Sequence, residues 1–389
     1  MTEFISKFYF SSGKSWNICA HAMLLVALAF NDFFQYSGFA VKLDWSVTLC
    51  YLGWLLLFWY VFFMKEKSIH PIVVLLWGLF ACHMFFYSMP LSEQLVTVTP
   101  LLTVYALTLI LSLWKWTPER LRVGGILSLI YVLGMAVSLL PGRIFSGWNP
   151  NSSIILIPNL IFGLAAAFIF GSKKVIFVSL YIGLMILSVI GKLQNRSSVL
   201  CVLLFIACIL LQVYKRRATF RIAYISLIAF NLLLPFLFSL LENSALYNFL
   251  TNLSLDLFRK QILLNGREIL WPQVISLLLQ QDNIFWGTGG ERLVYSHNLS
   301  LDTLSCAGIS GYCLFIVSII FLLEKGFELQ SKNNIFLYGF LALFLLNTFE
   351  NVMICNNTYM IFQYMLLAIP ISLKRKKENE ADHLHTDIQ

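Results

Sequence analysis

Apolar runs of roughly membrane-spanning length alternate with short polar breaks along almost the whole chain, and only one break is long. A helix that crosses a hydrocarbon core needs about 20 predominantly apolar residues. Runs near that length occupy 16–32, 44–63, 71–88, 96–114, 124–140, 154–170, 175–191, 197–214, 222–241, 303–323, 335–349 and 358–373. The pattern predicts about twelve transmembrane helices, nine within 1–241 and three within 303–373. Between them lies a long polar loop, 242–302, and after them a charged tail, 374–389.

The loop has its own pattern. Residues 246–264 alternate apolar and polar positions in the manner of an interfacial helix. Asn265 is placed to cap a second helix over 266–281, with Ile269, Leu270, Val274, Ile275, Leu278 and Leu279 as its apolar stripe. Helices of this kind lie along a bilayer surface and do not cross it. Gly287-Thr288-Gly289-Gly290 then predicts a flexible turn ahead of His297. The expected fold class is an all-α polytopic integral membrane protein with interfacial helices in one large loop.

Composition strengthens this. The chain is 59% hydrophobic and 12% charged, with a mean hydropathy of +0.79. A soluble domain carries about 25% charged residues, so this composition excludes one. The first apolar run ends at Asn31-Asp32 without a small-residue cleavage site and reads as a retained span. The eight cysteines (Cys19, Cys50, Cys82, Cys201, Cys208, Cys306, Cys313 and Cys355) show no CxxC spacing and lie in or beside apolar runs, as packing residues do.

Charge sets the orientation. With both termini cytoplasmic, 19 of the 27 basic residues fall in inner segments, as the positive-inside rule requires. The formal net charge of +8 therefore reports topology and not nucleic-acid binding, which would concentrate charge in one stripe. The long loop then faces outward. It carries Arg259, Lys260, Arg267 and Arg292, cations that outer loops tend to avoid.

The candidate chemistry gathers there. Arg267 and Trp271 are four apart and share a helix face. A guanidinium beside an indole can hold a phosphate or stack on a sugar, or it can anchor a surface helix at the headgroups. His297-Asn298 follows the glycine turn. Histidine titrates near neutrality and suits a general base, although a surface histidine can equally hydrogen-bond a loop carbonyl. Arg196 opens a span just after a short outer turn, as a phosphate clamp or as a snorkelling residue. Arg292 and Arg143 are further outer cations. Glu350, at an outer helix end, is a second-tier candidate to pair with an arginine. His83, Asn231 and Asn347 are intramembrane polar groups that read as interhelical hydrogen bonders. No HExxH, DxD or outward carboxylate cluster implies a metal, and no Walker A loop implies a nucleotide.

Several features in order resemble the bacterial O-antigen polymerase and ligase superfamily. They are Asn195-Arg196-Ser197-Ser198, Gly266-Arg267-Glu268-Ile269-Leu270-Trp271, Trp286-Gly287-Thr288-Gly289, Ser296-His297-Asn298-Leu299-Ser300-Leu301 and Gly308-Ile309-Ser310-Gly311. The resemblance covers topology throughout and sequence motifs over roughly 195–311. It implies a metal-independent, inverting, GT-C-like glycosyltransferase without cofactor in the bacterial inner membrane. Such an enzyme takes oligosaccharide from undecaprenyl diphosphate on the periplasmic side and hands it to a glycan acceptor, alongside a chain-length regulator. By that resemblance Arg196, Arg267 and His297 are catalytic. The two arginines hold the donor diphosphate, and His297 orients or deprotonates the acceptor hydroxyl. Asn298, Arg292, Trp271 and Arg143 bind substrate, with Asn298 positioning His297 or the sugar.

Gly-Arg-x-x-x-Trp followed by Ser-His-Asn-x-x-Leu-Asp looks more like repeat-unit polymerases, which extend a lipid-linked acceptor in O-antigen or related polysaccharide synthesis. The nine residues between Asn298 and Gly308 are also a trait of ligases, which transfer to lipid A core. A polysaccharide transporter or flippase is the non-enzyme alternative. It predicts Gly- or Pro-interrupted spans in corresponding halves and buried intramembrane charge pairs, and neither is visible in the sequence.

Overall fold

The computed structural model describes residues 118–138, 153–187, 195–211, 216–241, 244–258, 266–280, 284–287, 296–327 and 334–350, with 363, 365–367 and 369–371 near the end. Every regular element among them is a helix. In chain order they are α1 (Pro118–Ser138), α2 (Ser153–Ala167), a short 3-10 turn (Gly171–Lys173), α3 (Lys174–Met185), α4 (Arg196–Leu210), α5 (Arg217–Leu241), α6 (Ala245–Phe258), α7 (Arg267–Leu279), α8 (Leu299–Gly326) and α9 (Ile335–Leu346). The expected spans 124–140, 154–170, 175–191, 197–214, 222–241, 303–323 and 335–349 each fall on one of these helices. The first four expected spans, His83, Arg143, Arg292 and the tail 374–389 lie outside the described residues, and the twelfth span is described only in part.

Two stretches, Arg217–Leu241 and Ala307–Gly326, are long and apolar enough to cross a membrane. Others are shorter. The 12 residues of α9 rise about 18 Å at 1.5 Å each, well under a core of about 30 Å. That helix is apolar on every side, and it is buried on every side as a consequence. It packs against α2, α4 and α5, with Phe336, Phe340, Leu343 and Leu346 wholly enclosed.

α5 is patterned the other way round from a soluble helix. Its buried stripe is Phe220, Tyr224, Asn231 and Pro235. Its exposed side carries Ile222, Ile225, Leu233, Leu237 and Leu240. Aliphatic side chains therefore face out while the asparagine faces in. α8 runs antiparallel beside it. At one end Arg217 and Arg221 both donate to Glu324, and Tyr224 does so as well; at the other end Asn231 meets Ser300. Of the site candidates, Arg196, Arg267, Trp271, His297, Asn298 and Glu350 are described, and they lie at that second end. Cys201 and Cys208 pack in the core, whereas Cys313 is exposed.

Of the loop helices, the first is described over Ala245–Phe258, and the rest of its expected range, 259–264, lies outside the described residues. The second, α7, is capped by Gly266 in the left-handed region (φ 90°), with no side-chain cap, so Asn265 is not its N-cap. Its buried face is Arg267, Glu268, Trp271, Val274, Ile275 and Leu278, against α5 and α8. Ile269 and Leu279, expected in the apolar stripe, are exposed instead. The physical reason is that Trp271 and the Arg267–Glu268 pair compete for the inner face, which rotates the helix away from a purely aliphatic seam.

Candidate functional site

The site is assembled by a turn of three residues, Ser296-His297-Asn298, at the start of α8. Asn298 is the N-cap, and its Oδ1 accepts from the Leu301 N–H at 2.9 Å. Asparagine suits this position because its short side chain reaches the unpaired amides of the first turn. Its Nδ2 donates to the backbone carbonyls of Asn231 (3.0 Å) and Thr348 (3.1 Å). One side chain thereby ties α8 to α5 and to the residues that follow α9. Asn231 adds to the tie, since its Oδ1 accepts from the Ser300 N–H and hydroxyl and its Nδ2 donates to Thr348 Oγ1. Asn347 donates to Gln363 Oε1 at 2.8 Å and accepts the Leu299 N–H on its carbonyl at 2.9 Å.

Ser296 is clamped from the other side. Its N–H and hydroxyl donate to Asp302 Oδ1 at 2.8 and 2.6 Å, and its carbonyl accepts the indole N–H of Trp271 at 2.9 Å. His297, between two such fixed neighbours, sits at φ 58°. A left-handed backbone costs a non-glycine residue about 1–2 kcal/mol, and the surrounding bonds hold it there. The turn presents its imidazole to Glu350: Nδ1 lies 2.9 Å from Glu350 Oε2. The other oxygen of Glu350 pairs with Arg267 Nη2. Glu350 is nearly enclosed at 4% exposure and Arg267 at 11%, whereas the His297 side chain remains 34% exposed.

Arg196 completes the cluster. It is the first residue of α4, whose N-cap Asn195 accepts from the Ser198 N–H and the Ser197 hydroxyl. Its electrostatic neighbours are Glu268 and Arg267. Glu268, one residue on from Arg267, accepts the Gly266 N–H at 3.1 Å. Two guanidiniums, two carboxylates and one imidazole therefore meet at one end of the helix bundle, contributed by the starts of α4, α7 and α8 and by the residues following α9.

Of the residues singled out from sequence, Arg196, Arg267 and His297 come together. Trp271 and Asn298, expected to bind substrate or, for Asn298, to position His297, are both built into the turn. Each is fully buried. The indole and the amide of these two side chains are engaged with the protein itself, so their place is to build the turn that carries His297. Glu350, ranked second by sequence, stands at the centre. The arginine that Glu350 pairs with is Arg267, and the pair is buried. Asp302 was passed over, although an aspartate four residues after a helix-capping asparagine is a legible signal of a buried anchor. Among the described residues no group of three or more His, Cys, Asp or Glu side chains is arranged to hold a metal.

The remaining motif fragments also find each other. Phe285 and Gly287 back onto Gly308, with the Ile309 and Ser310 amides donating to the Ile284 and Phe285 carbonyls at 3.1 Å. Comparison with protein-family models, curated proteins and solved structures returns no match to the chain.

Proposed function

We propose that this protein is an inner-membrane glycosyltransferase of the O-antigen polymerase type, moving oligosaccharide repeat units from undecaprenyl diphosphate to a lipid-linked acceptor on the periplasmic face. The reading that the helices span a membrane is supported by the inverted patterning of α5 and by the two helices of spanning length. Soluble proteins rarely leave large contiguous apolar patches to water.

The observation that carries the chemistry is Glu350 shared between Arg267 and His297. A carboxylate on Nδ1 holds an imidazole in the tautomer whose Nε2 is the basic nitrogen, and it stabilises the imidazolium that forms on proton uptake. In the proposed step His297 Nε2 takes the proton of the acceptor hydroxyl as its oxygen attacks the anomeric carbon. The bond from that carbon to the diphosphate oxygen breaks, and undecaprenyl diphosphate leaves with the electron pair. Arg196 and Arg267 stabilise the charge that develops on it. Because the leaving group is already good, positive charge and orientation serve better than the carboxylate pair a glycosidase needs.

The test is transfer in vesicles that contain the full chain, lipid-linked donor and lipid-linked acceptor. Wild-type protein lengthens the acceptor, while His297→Ala and Arg267→Ala variants that still insert do not. Unchanged product length in both variants would refute the enzyme reading. A gene deletion separates polymerase from ligase: core lipid capped by one repeat unit marks a lost polymerase, and bare core marks a lost ligase. A second reading, a polysaccharide transporter, takes support from the glycine break in α8 and from the buried Arg267–Glu350 pair. It predicts movement of lipid-linked glycan across vesicles without any new glycosidic bond.

A further inference from the structure

α8 is one helix by hydrogen bonding but two by geometry. At Gly308 the backbone turns to φ 64° and ψ −171°, a region that only glycine occupies readily. The break frees the amides of Ile309 and Ser310 from the helix ladder. They donate to the carbonyls of Ile284 and Phe285 at 3.1 Å each, and the Ser310 hydroxyl adds a third bond to Phe285 O at 2.9 Å. The fit is tight. A Cβ on Gly308 would lie 2.4 Å from Phe285 O, 2.5 Å from Gly287 N and 2.5 Å from Trp286 C, all of them backbone atoms.

This seat fixes the depth of the segment. Ala307–Gly326 is the stretch of α8 long and apolar enough to cross a membrane, so the segment 284–287 docks on the first turn of that stretch. Non-helical backbone is tolerated at bilayer depth only where protein satisfies its polar groups, and here the broken helix does so. The side chains remain partly exposed: Ile284 is 37% exposed, Phe285 51%, Trp286 40% and the adjoining Ile309 40%. The Phe285 and Trp286 rings brace one another edge to face, 4.9 Å apart. An apolar tip with an indole, seated where a span begins, matches the aromatic belt at a membrane boundary.

We propose that Ile284-Phe285-Trp286 is a lipid-contacting tip that inserts at the boundary between headgroups and acyl chains, at the break in α8. The proposal rests on α8 being a membrane span and is independent of the chemistry assigned to His297. The test places the photo-crosslinker p-benzoylphenylalanine at Trp286 of the full chain in phosphatidylcholine–phosphatidylglycerol nanodiscs, with a second variant carrying it at Leu233 on the exposed side of α5. Phe285 serves as an alternative position if the Trp286 variant fails to insert. After irradiation, mass spectrometry reads phospholipid adducts. Adducts at the tip in yield comparable to Leu233 are expected. Adducts at Leu233 with none at the tip overturn this proposal alone, and a tip that crosslinks to another protein overturns it in favour of a docking surface. Adducts at neither position overturn it together with the membrane reading.

Discussion

Glu350→Gln isolates the central interaction of the site with almost no change in volume. The amide can no longer hold the imidazole in one tautomer through a charged acceptor, and Arg267 is left facing a neutral group. General acid–base catalysis is worth about 10²- to 10⁴-fold, or about 3–5 kcal/mol of barrier at 1.36 kcal/mol per tenfold. Because Glu350 is only 4% exposed, water does little to replace it, and the loss belongs in the upper part of that range. Breaking a buried ion pair from one side also destabilises by about 3–5 kcal/mol. The lower figure applies here, since the amide fills the same space. The assay is steady-state transfer of lipid-linked repeat units by reconstituted protein, with kcat and donor KM measured separately for Glu350→Gln, His297→Ala and the double variant. If the two residues act as a unit, the double variant falls no further than His297→Ala alone. Losses that multiply across the two substitutions, or an unchanged kcat in Glu350→Gln, would refute the pairing as a functional unit.

Arg196→Ala removes a cation while leaving the His297 turn intact, so donor KM rises by roughly 10- to 150-fold, the equivalent of one charge-assisted hydrogen bond of about 1.5–3 kcal/mol; acceptor KM stays put, and an equal rise in both would overturn the assignment to the diphosphate. His297→Gly relieves the left-handed strain and is more stable than His297→Ala by about 1–2 kcal/mol, read from unfolding in detergent, even though both variants are inactive; equal stability would show that the turn is not strained. Trp271→Phe leaves the buried Ser296 carbonyl without its donor and costs about 1–3 kcal/mol, with kcat reduced more than KM because the His297 turn loosens. A Trp271→Phe variant altered only in donor KM would instead return the indole to the substrate.

The helical class and the approximate placement of the described helices are legible in the sequence because long apolar runs leave few alternatives. The loop is less legible. The stripe Ile269, Leu270, Val274, Ile275, Leu278 and Leu279 is a sound amphipathic pattern, yet two of its members face out because Trp271 and Glu268 also demand the interior. Periodicity ranks side chains by apolarity, and it cannot see a buried indole that donates to Ser296. Arg196, Arg267 and His297 are recoverable because charged and titratable side chains are conspicuous at the edges of apolar runs. Glu350 is harder to find: it lies 53 residues beyond His297, and nothing local distinguishes it from a helix-end carboxylate. Asn298 and Trp271 are read as ligand-binding from their chemistry, whereas folding spends their polar atoms on the protein.

The position of Glu350 has a consequence for recombining such proteins. The imidazole travels with the long loop, and its carboxylate travels with the far side of α8 and α9. A chimera that exchanges only 242–302 between two members of a family would therefore carry whatever that loop recognises into a host that supplies the proton-handling partner. On the proposed reading, His297 and Arg267 move with the loop, while Glu350 and Arg196 stay behind with the bundle. Swaps whose recipients lack a carboxylate at the matching helix end should insert and bind yet turn over poorly, and restoring that one residue should rescue them.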